Sequence, residues 1–217
     1  ARSRAWNQLS VVWSRQGDHR EAIRSADHAA ALARLAGQVP PLIQALLTKA
    51  SSLLLVGQSD ESEQLCEEAL ALSQRSNLSV EIAQTKNLLG RICDARGEYA
   101  RSMQFKEEAL ELFRGLGDRR KTGWMLHNMG VVILLRGDYR AAVDVYRDAL
   151  QIAREIGDRD WQMAVLVNLG SAYVGVGNYA EGLDSLQQVL EMTRDRNFYG
   201  ASLVYATKAE ALLGLGR

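Results

Sequence analysis

The stretch RGDYRAAVDVYRDAL, residues 136–150, decides the fold because its turn residues recur along the chain at one fixed spacing. Taken alone, Arg136-Gly137-Asp138 spells a tripeptide that many cell-adhesion receptors bind. As local structure, Gly137 ends one helix and Asp138 caps the next. The second interpretation is favoured, because equivalent turns elsewhere in the chain lack the arginine.

These turns recur every 40 residues in two interleaved series. Each position in both series is Gly or Asn, the residues that best tolerate the left-handed conformation at a helix end. Between turns lie stretches of about 17 residues, each about 26 Å long if helical. The spacing predicts a helix–turn–helix unit repeated about five and a half times. The two series are Gly17, Gly57, Gly97, Gly137, Gly177 and Gly37, Asn77, Gly117, Gly157, Asn197.

Small residues and apolar residues keep the same register. Short side chains allow close approach, so columns of small residues predict where the helices cross. The three columns are Ser10, Ala50, Gly90, Gly130, Gly170; Ala22, Ser62, Ser102, Ala142, Gly182; and Ala29, Ala69, Ala109, Ala149, Val189. After Asp138, a stripe with the spacing of one buried helical face comprises Tyr139, Ala142, Val143, Tyr146, Ala149, Leu150, Ala153 and Ile156.

Capping residues agree with the turns. A side-chain oxygen directly after the glycine can accept a hydrogen bond from an unpaired N–H of the next helix. Pro40 and Pro41 stand where a first-turn proline costs no hydrogen bond. The predicted caps are Asp18, Asp118, Asp138, Asp158 and Asn178.

Residues 126–150 and 166–190 resemble the tetratricopeptide repeat. The family pattern of Leu, Gly, Tyr, then Ala, aromatic, Ala is matched by Met129, Gly130, Ile133, Ala142, Tyr146 and Ala149. The unit of 40 residues, rather than about 34, resembles kinesin light chains, spindle-orientation adaptors and bacterial regulators such as the maltotriose-sensing activator. This resemblance implies an all-α, right-handed solenoid of about five and a half antiparallel helix pairs.

We expect one repeat domain over residues 1–217. Its predicted repeats are 1–37, 38–77, 78–117, 118–157 and 158–197, with a half repeat at 198–217. The chain has no initiator Met and begins inside a predicted helix. We therefore expect a piece of a longer protein.

Charge and composition argue against several kinds of partner. The formal net charge is zero, so no long-range field would attract nucleic acid. No apolar run is long enough to span a membrane. The two cysteines imply no disulfide framework, which favours the cytoplasm. Only five of the 26 basic residues are Lys, which we take to indicate a bacterial genome.

No motif predicts an enzyme, a cofactor or a metal site. Gly175–Ala180 fits the dinucleotide pattern G-x-G-x-x-A, but a helix precedes it where a strand is needed. Gly115–Thr122 departs from the phosphate loop at its second glycine. The three histidines lack a partner at metal-ligand spacing. Cys66 and Cys93 occupy repeat positions that belong to the core.

Solenoids of this kind bind partners on the concave face lined by the first helix of each pair. The family pattern places there a polar group and a largely apolar group of candidate partner-binding residues. Trp124 is a candidate anchor or a partly buried packing residue. An Asn at this family position contacts a bound peptide or a neighbouring helix. The candidates are Asn87, Arg91, Asp94, Trp124, His127, Asn128, Val131, Leu135, Asn168 and Ser171.

The function expected is a non-catalytic scaffold for a protein or peptide, within a bacterial regulatory or signalling protein. One alternative is a small-effector-sensing arm of a transcriptional regulator. Another is self-association as a homodimer through end helices that contain Trp6, Trp13 and Leu203. The groove lacks the run of Lys and Arg that holds acidic chaperone tails, so we expect no binding of such tails.

Overall fold

The computed structural model describes residues 2–194 and 201–216, in which all regular secondary structure is α-helical. Eleven helices form there, which confirms the predicted all-α fold of five and a half helix pairs. They fall into two compact units, Ala1–Leu116 and Gly117–Arg217. The first unit contains α1 (Arg2–Arg15), α2 (His19–Leu35), α3 (Val39–Leu55), α4 (Ser59–Arg75), α5 (Ser79–Ala95) and α6 (Tyr99–Gly115). The second contains α7 (Arg119–Leu135), α8 (Tyr139–Ile156), α9 (Arg159–Val176), α10 (Tyr179–Met192) and α11 (Ala201–Gly214).

The predicted turn positions end the helices. All of those in the described residues have positive φ, from +52° at Asn77 to +88° at Gly177. Asn197 lies outside the described residues. Because a side chain is strained in this backbone region, the 40-residue series of Gly and Asn follows directly from the turn geometry.

The tripeptide Arg136-Gly137-Asp138 is a helix boundary, as predicted. Gly137 N–H donates to Leu134 O at 2.9 Å, and Asp138 N–H donates to Ile133 O at 3.2 Å. These bonds satisfy carbonyls at the end of α7. The Asp138 carboxylate then accepts from the N–H of Ala141, 3.2 Å away, and so caps α8.

Four of the five predicted caps form. Besides Asp138, the carboxylates of Asp18, Asp118 and Asp158 accept from the backbone N–H three residues on. The exception is Asn178, whose side chain makes no cap hydrogen bond within the described structure. The Asn178 prediction was therefore wrong. The position of a residue directly after a turn does not by itself orient its side chain toward an unpaired N–H of the next helix.

The three columns of small residues are buried in both units, as predicted. Inside the α3–α4 pair, the hydroxyl of Ser62 donates to Ala50 O at 2.7 Å, which joins two columns directly. In α7, a Cβ added at Gly130 would lie 2.6 Å from the ring of Tyr146. Glycine is needed there because the aromatic ring of α8 occupies the space of a side chain.

Within each unit every helix packs on the next, and the first helices of successive pairs also contact one another. In α8 most of the predicted apolar stripe is buried, including Tyr146 and Ala153. The prediction that Tyr139 is buried was wrong, since this residue is 40% exposed. Its ring covers Gly175 of α9 from the surface rather than entering the core.

Candidate binding site

The candidate residues lie on the first helices of their pairs. In the first unit these are α1, α3 and α5, with α3 in contact with both others. In the second unit they are α7, α9 and α11, with α9 in contact with both others. Since successive first helices lie side by side, residues 40 positions apart in sequence become neighbours.

In the first unit, residues of α1, α3 and α5 line an open pocket of about 270 Å³. We call it the Arg91 pocket. Predicted groove residues Asn87 and Arg91 line it, together with Ser51 and Arg15. The other lining residues are Val11, Ser14, Gln44, Leu47, Thr48, Gln84 and Leu88. None of the described residues that line it is acidic, so the pocket is positively charged.

The polar groups of Asn87 and Arg91 that face this pocket make few hydrogen bonds to other described residues. The guanidinium of Arg91 has one hydrogen bond to described residues, a long one of 3.5 Å to the hydroxyl of Ser51. Asn87 Oδ1 is buried and has no partner among them. Burial lowers the pKa of Arg91, while the attraction of Asp94 acts in the opposite direction. Both side chains therefore keep hydrogen-bonding capacity for a ligand.

Asp94 does not line the pocket with Asn87 and Arg91. Its carboxylate accepts from the amine of Lys106 and the hydroxyl of Ser102, both on α6. Lys106 is only 1% exposed. Lys106 is not among the residues predicted from the sequence, although its position 40 residues before Tyr146, in a column of core residues, distinguishes it.

In the second unit, two tryptophans stack across neighbouring first helices. The indoles of Trp124 in α7 and Trp161 in α9 have ring centroids 5.7 Å apart and are tilted by only 8°. Trp161 is buried, whereas 46% of Trp124 is exposed. The buried ring therefore fixes one face of Trp124 and leaves much of the side chain to solvent.

His127 joins this aromatic group from the same face of α7. Its ring centroid lies 6.1 Å from that of Trp124 and 6.0 Å from that of Tyr146. His127 Nε2 lies 3.4 Å from the amide nitrogen of Asn168 in α9, but Nδ1 has no partner in the described structure. Burial lowers the pKa of His127 below its usual value of 6.5, so the ring is neutral at pH 7.

The remaining candidates surround this group or continue along the helices. Asn128 and Val131 are partly buried in α7, and Leu135 is exposed at its end. Ser171 donates to Val167 O within α9, at 3.2 Å. The structure thus brings Trp124, His127 and Asn168 together. It adds Trp161, which sequence analysis did not select.

The end helices carry the predicted exposed apolar residues to different extents. Trp6 of α1 is 37% exposed and packs on the ring of His28, with centroids 4.9 Å apart. Trp13 is partly buried, and Leu203 of α11 is exposed. These residues form apolar surface at α1 and at α11.

Residues 2–194 and 201–216 contain no group of three or more His, Cys, Asp or Glu that could hold a metal ion, and no helix long and apolar enough to cross a membrane. Cys66 and Cys93 are buried, as predicted. Burial raises the pKa of Cys66 to about 12, so its thiol is neutral at pH 7.

Helix pairs at a 40-residue step, with small residues where the helices cross, define a helical repeat protein. The model of the tetratricopeptide repeat family matches residues 41–115 and 121–195, more than half of the chain. The chain therefore belongs to the tetratricopeptide repeat family. Tetratricopeptide repeats generally mediate protein–protein interactions, and the fold is typically a non-catalytic scaffold.

Solved structures share this fold at low sequence identity. A putative kinesin light chain of Podosopora anserina with TPR-like repeats is 17% identical over 89% of this chain and 97% of its own, with a TM-score of 0.69. A signal transduction ATPase with a tetratricopeptide repeat sensor, from Pyrococcus horikoshii, is 14% identical over 98% of this chain and 32% of its own, with a TM-score of 0.80. A Rap protein complexed with competence and sporulation factor is 16% identical over 98% of this chain and 59% of its own, with a TM-score of 0.79. No curated protein sequence matches the chain.

Proposed function

We propose that this chain is a non-catalytic module that holds a segment of a partner protein against the first-helix faces of its repeats. The observation that carries the proposal is the exposed indole of Trp124 stacked on buried Trp161. Large aromatic side chains are the usual anchors of protein interfaces. Because Trp161 already orders the Trp124 ring, little side-chain entropy is lost when a partner covers it.

Polar groups beside Trp124 suit a polypeptide ligand. His127 Nδ1 has no partner among the described residues, and Asn168 lies on the adjacent helix. A polypeptide offers both N–H donors and C=O acceptors along its length. Asn128 and Ser171 extend the same face, and Val131 and Leu135 add apolar area. These residues form the proposed partner contacts of the second unit.

We further propose that the module belongs to a bacterial, cytoplasmic regulatory or signalling protein. The fold shared with a Rap protein complexed with competence and sporulation factor supports a peptide as the partner. We propose that the module comprises five repeats and a half repeat over residues 1–217. Their bounds are 1–37, 38–77, 78–117, 118–157, 158–197 and 198–217.

A small-effector sensor is the second candidate. The fold shared with the sensor of the Pyrococcus horikoshii ATPase supports it. Two pockets, of about 420 Å³ beside Tyr173 and about 560 Å³ beside Leu112, fall within the roughly 300–1,000 Å³ of small-molecule sites. The Arg91 pocket, of about 270 Å³, falls below that range. A pocket of this size suits one side chain of a larger partner better than an independent effector.

The test is selection from a random peptide library displayed on phage, followed by titration of the selected peptides into the purified chain. Trp124→Ala should weaken binding of peptides held by this face by about 1–4 kcal/mol. Tyr205→Ala is the matched control, because Tyr205 is an exposed aromatic residue of α11 outside the proposed contacts. Selected peptides that bind both variants and wild type equally would remove Trp124 from the site. Recovery of no peptide, with a small metabolite raising Tm instead, would favour the sensor.

A further inference from the structure

The third helix pair departs from the repeat pattern at three positions that meet in space. Lys106 stands in a column whose other members are Ala26, Cys66, Tyr146 and Leu186. Asp94 stands in a column with Ser14, Leu54, Leu134 and Val174. Arg91 stands in a column with Val11, Ser51, Val131 and Ser171. Departures from an otherwise consistent pattern concentrate at functional sites.

These three side chains leave a positive charge without a counter-charge. Lys106 and Ser102 both donate to the Asp94 carboxylate. Arg91 is attracted by Asp94 and also repels Lys106. The thiol of Cys66, the other group that acts on Arg91, is neutral. The cluster therefore contains two positive groups and one negative group. Lys106 is buried, Arg91 is partly buried, and the Asp94 side chain is 29% exposed. A partly desolvated charge without a full counter-charge is unfavourable, and a ligand of opposite charge relieves this cost.

The excess charge faces the Arg91 pocket. Arg91 lines the pocket, and within the described residues its guanidinium has only the 3.5 Å bond to Ser51. The amide of Asn87 lines the same pocket and is not held by any described hydrogen bond. It can therefore turn its N–H toward a ligand. Arg15 adds a second positive charge at the exposed rim.

We propose that the Arg91 pocket binds one carboxylate side chain, Asp or Glu, of the partner segment, with Arg91 as its counter-charge. This proposal rests on the proposed function, since the carboxylate belongs to the same bound polypeptide. A guanidinium presents two parallel N–H donors that match the two oxygens of a carboxylate. One excess positive charge in the cluster balances a carboxylate of −1. Arg15 lies at the exposed rim, where solvent and salt screen its charge, so it compensates the second charge of a phosphate only weakly.

Lys106 is a positioning residue in this arrangement. Lys106 pairs with Asp94 from the α6 side and thereby offsets part of the negative charge that attracts Arg91. A single buried arginine holds one carboxylate at any place in a segment. It does not provide the several basic groups that an acidic C-terminal tail requires, so the expectation of no tail binding is unchanged.

The first experiment is the random-library selection, with wild type and Arg91→Gln selected in parallel. Wild-type peptides should share an Asp or Glu at one position, and replacing it with the matching amide should weaken binding about tenfold or more. Peptides selected on Arg91→Gln should lack this preference. Arg15→Gln should keep it, because Arg15 is at the exposed rim. Peptides that bind wild type without an acidic preference would overturn this proposal and leave the proposed function intact.

The second experiment does not depend on finding a peptide. Sodium acetate is titrated into the ¹⁵N-labelled chain while the Arg Nε–Hε NMR signals are followed, with sodium chloride as the ionic control. The signal that Arg91→Gln removes should shift saturably with acetate and not with chloride. Absence of this shift would overturn the site even if peptides bind elsewhere, and a tighter response to inorganic phosphate would overturn its assignment to a carboxylate.

Thermal unfolding checks that Arg91 does not simply support the fold. Without ligand, Arg91→Gln should unfold at the same Tm as wild type or higher, because the guanidinium is partly buried and has only the 3.5 Å bond to Ser51 within the described residues. A clearly lower Tm would assign Arg91 to the fold and count against the site.

Discussion

The amine of Lys106 donates to the carboxylate of Asp94 inside the α5–α6 pair, at a core position that Tyr146 fills 40 residues later. Burial lowers the pKa of Lys106, and the hydrogen bond that its amine donates to Asp94 opposes that effect. The residues 40 positions after Asp94 and Lys106, in the next repeat, are Leu134 and Tyr146. An ion pair therefore stands at one step of two columns whose other members from the first to the fifth repeat carry no charge.

We expect this ion pair to be far more sensitive to loss of one partner than of both. Asp94→Leu alone leaves the ammonium of Lys106 buried without its partner and should lower the free energy of unfolding by about 3–5 kcal/mol. The double variant Asp94→Leu, Lys106→Leu restores an apolar pair, and its stability should be equal to or above that of wild type. Urea denaturation of the single and double variants measures both effects. Additive losses in the double variant would contradict the prediction.

Gly123 is expected to be required under the tryptophan stack. A Cβ there would lie 2.8 Å from Ile152 Cγ2 and closer still to the indole of Trp161. Gly123→Ala should therefore displace Trp161, lower the free energy of unfolding by about 1–3 kcal/mol and change the tryptophan emission spectrum. Gly115→Ala is the matched control, since no described atom lies within 4 Å of an added Cβ there. It should be neutral or stabilising, by up to about 1 kcal/mol. Equal effects of the two changes would exclude this account.

Stability should depend on pH through His127. The folded chain holds the pKa of His127 below 6.5, so the unfolded chain binds the proton more readily. The contribution of His127 is thus complete above pH 6.5 and is lost as the pH falls from 6.5 to the folded pKa, at no more than about 1.4 kcal/mol per pH unit. Urea denaturation between pH 5 and 7.5 measures it as the difference between wild type and His127→Phe. Parallel curves for the two proteins would show that the ring does not titrate in this way.

The caps of α9 and α10 should differ in their importance. Asp158 accepts from Trp161 N–H at 3.1 Å, and that bond, followed by the one from Arg120, lowers the pKa of Asp158. Asp158→Ala should therefore lower the free energy of unfolding by about 1 kcal/mol. Asn178→Ala should cost less, because Asn178 makes no cap bond in the described structure. Thermal and urea unfolding of the two variants compare them, and a larger loss for Asn178→Ala would refute the cap assignment.

We predict that the exposed apolar residues of α1 and α11 support self-association. Trp6 and Leu203 are 37% and 50% exposed, and burial of such side chains favours association. Sedimentation velocity over a wide concentration range should show a dimer whose population falls in the variants Trp6→Ser and Leu203→Ser. Leu135→Ser, at an exposed position outside these helices, is the control. A monomer at the highest concentration would rule out this interface.

The repeat could be predicted from the sequence because it depends on local backbone requirements. A left-handed turn residue selects Gly or Asn, and a close helix crossing selects small side chains, whatever else surrounds them. The turns from Gly17 to Gly177 and the buried columns of small residues are therefore in the predicted places. The exceptions, Asn178 and Tyr139, depend on side-chain direction, which the period does not specify.

The sequence by itself determined the helices, their pairing and the face on which the candidate residues lie, because each follows from a spacing along the chain. Only the tertiary structure decided which side chains meet. It placed Trp161 beneath Trp124, although they are 37 residues apart. It also turned Asp94 toward Lys106 and left Arg91 facing a pocket formed by three helices. The physical reason is that side-chain partners are selected by contact and charge between packed helices, neither of which a period along the chain encodes.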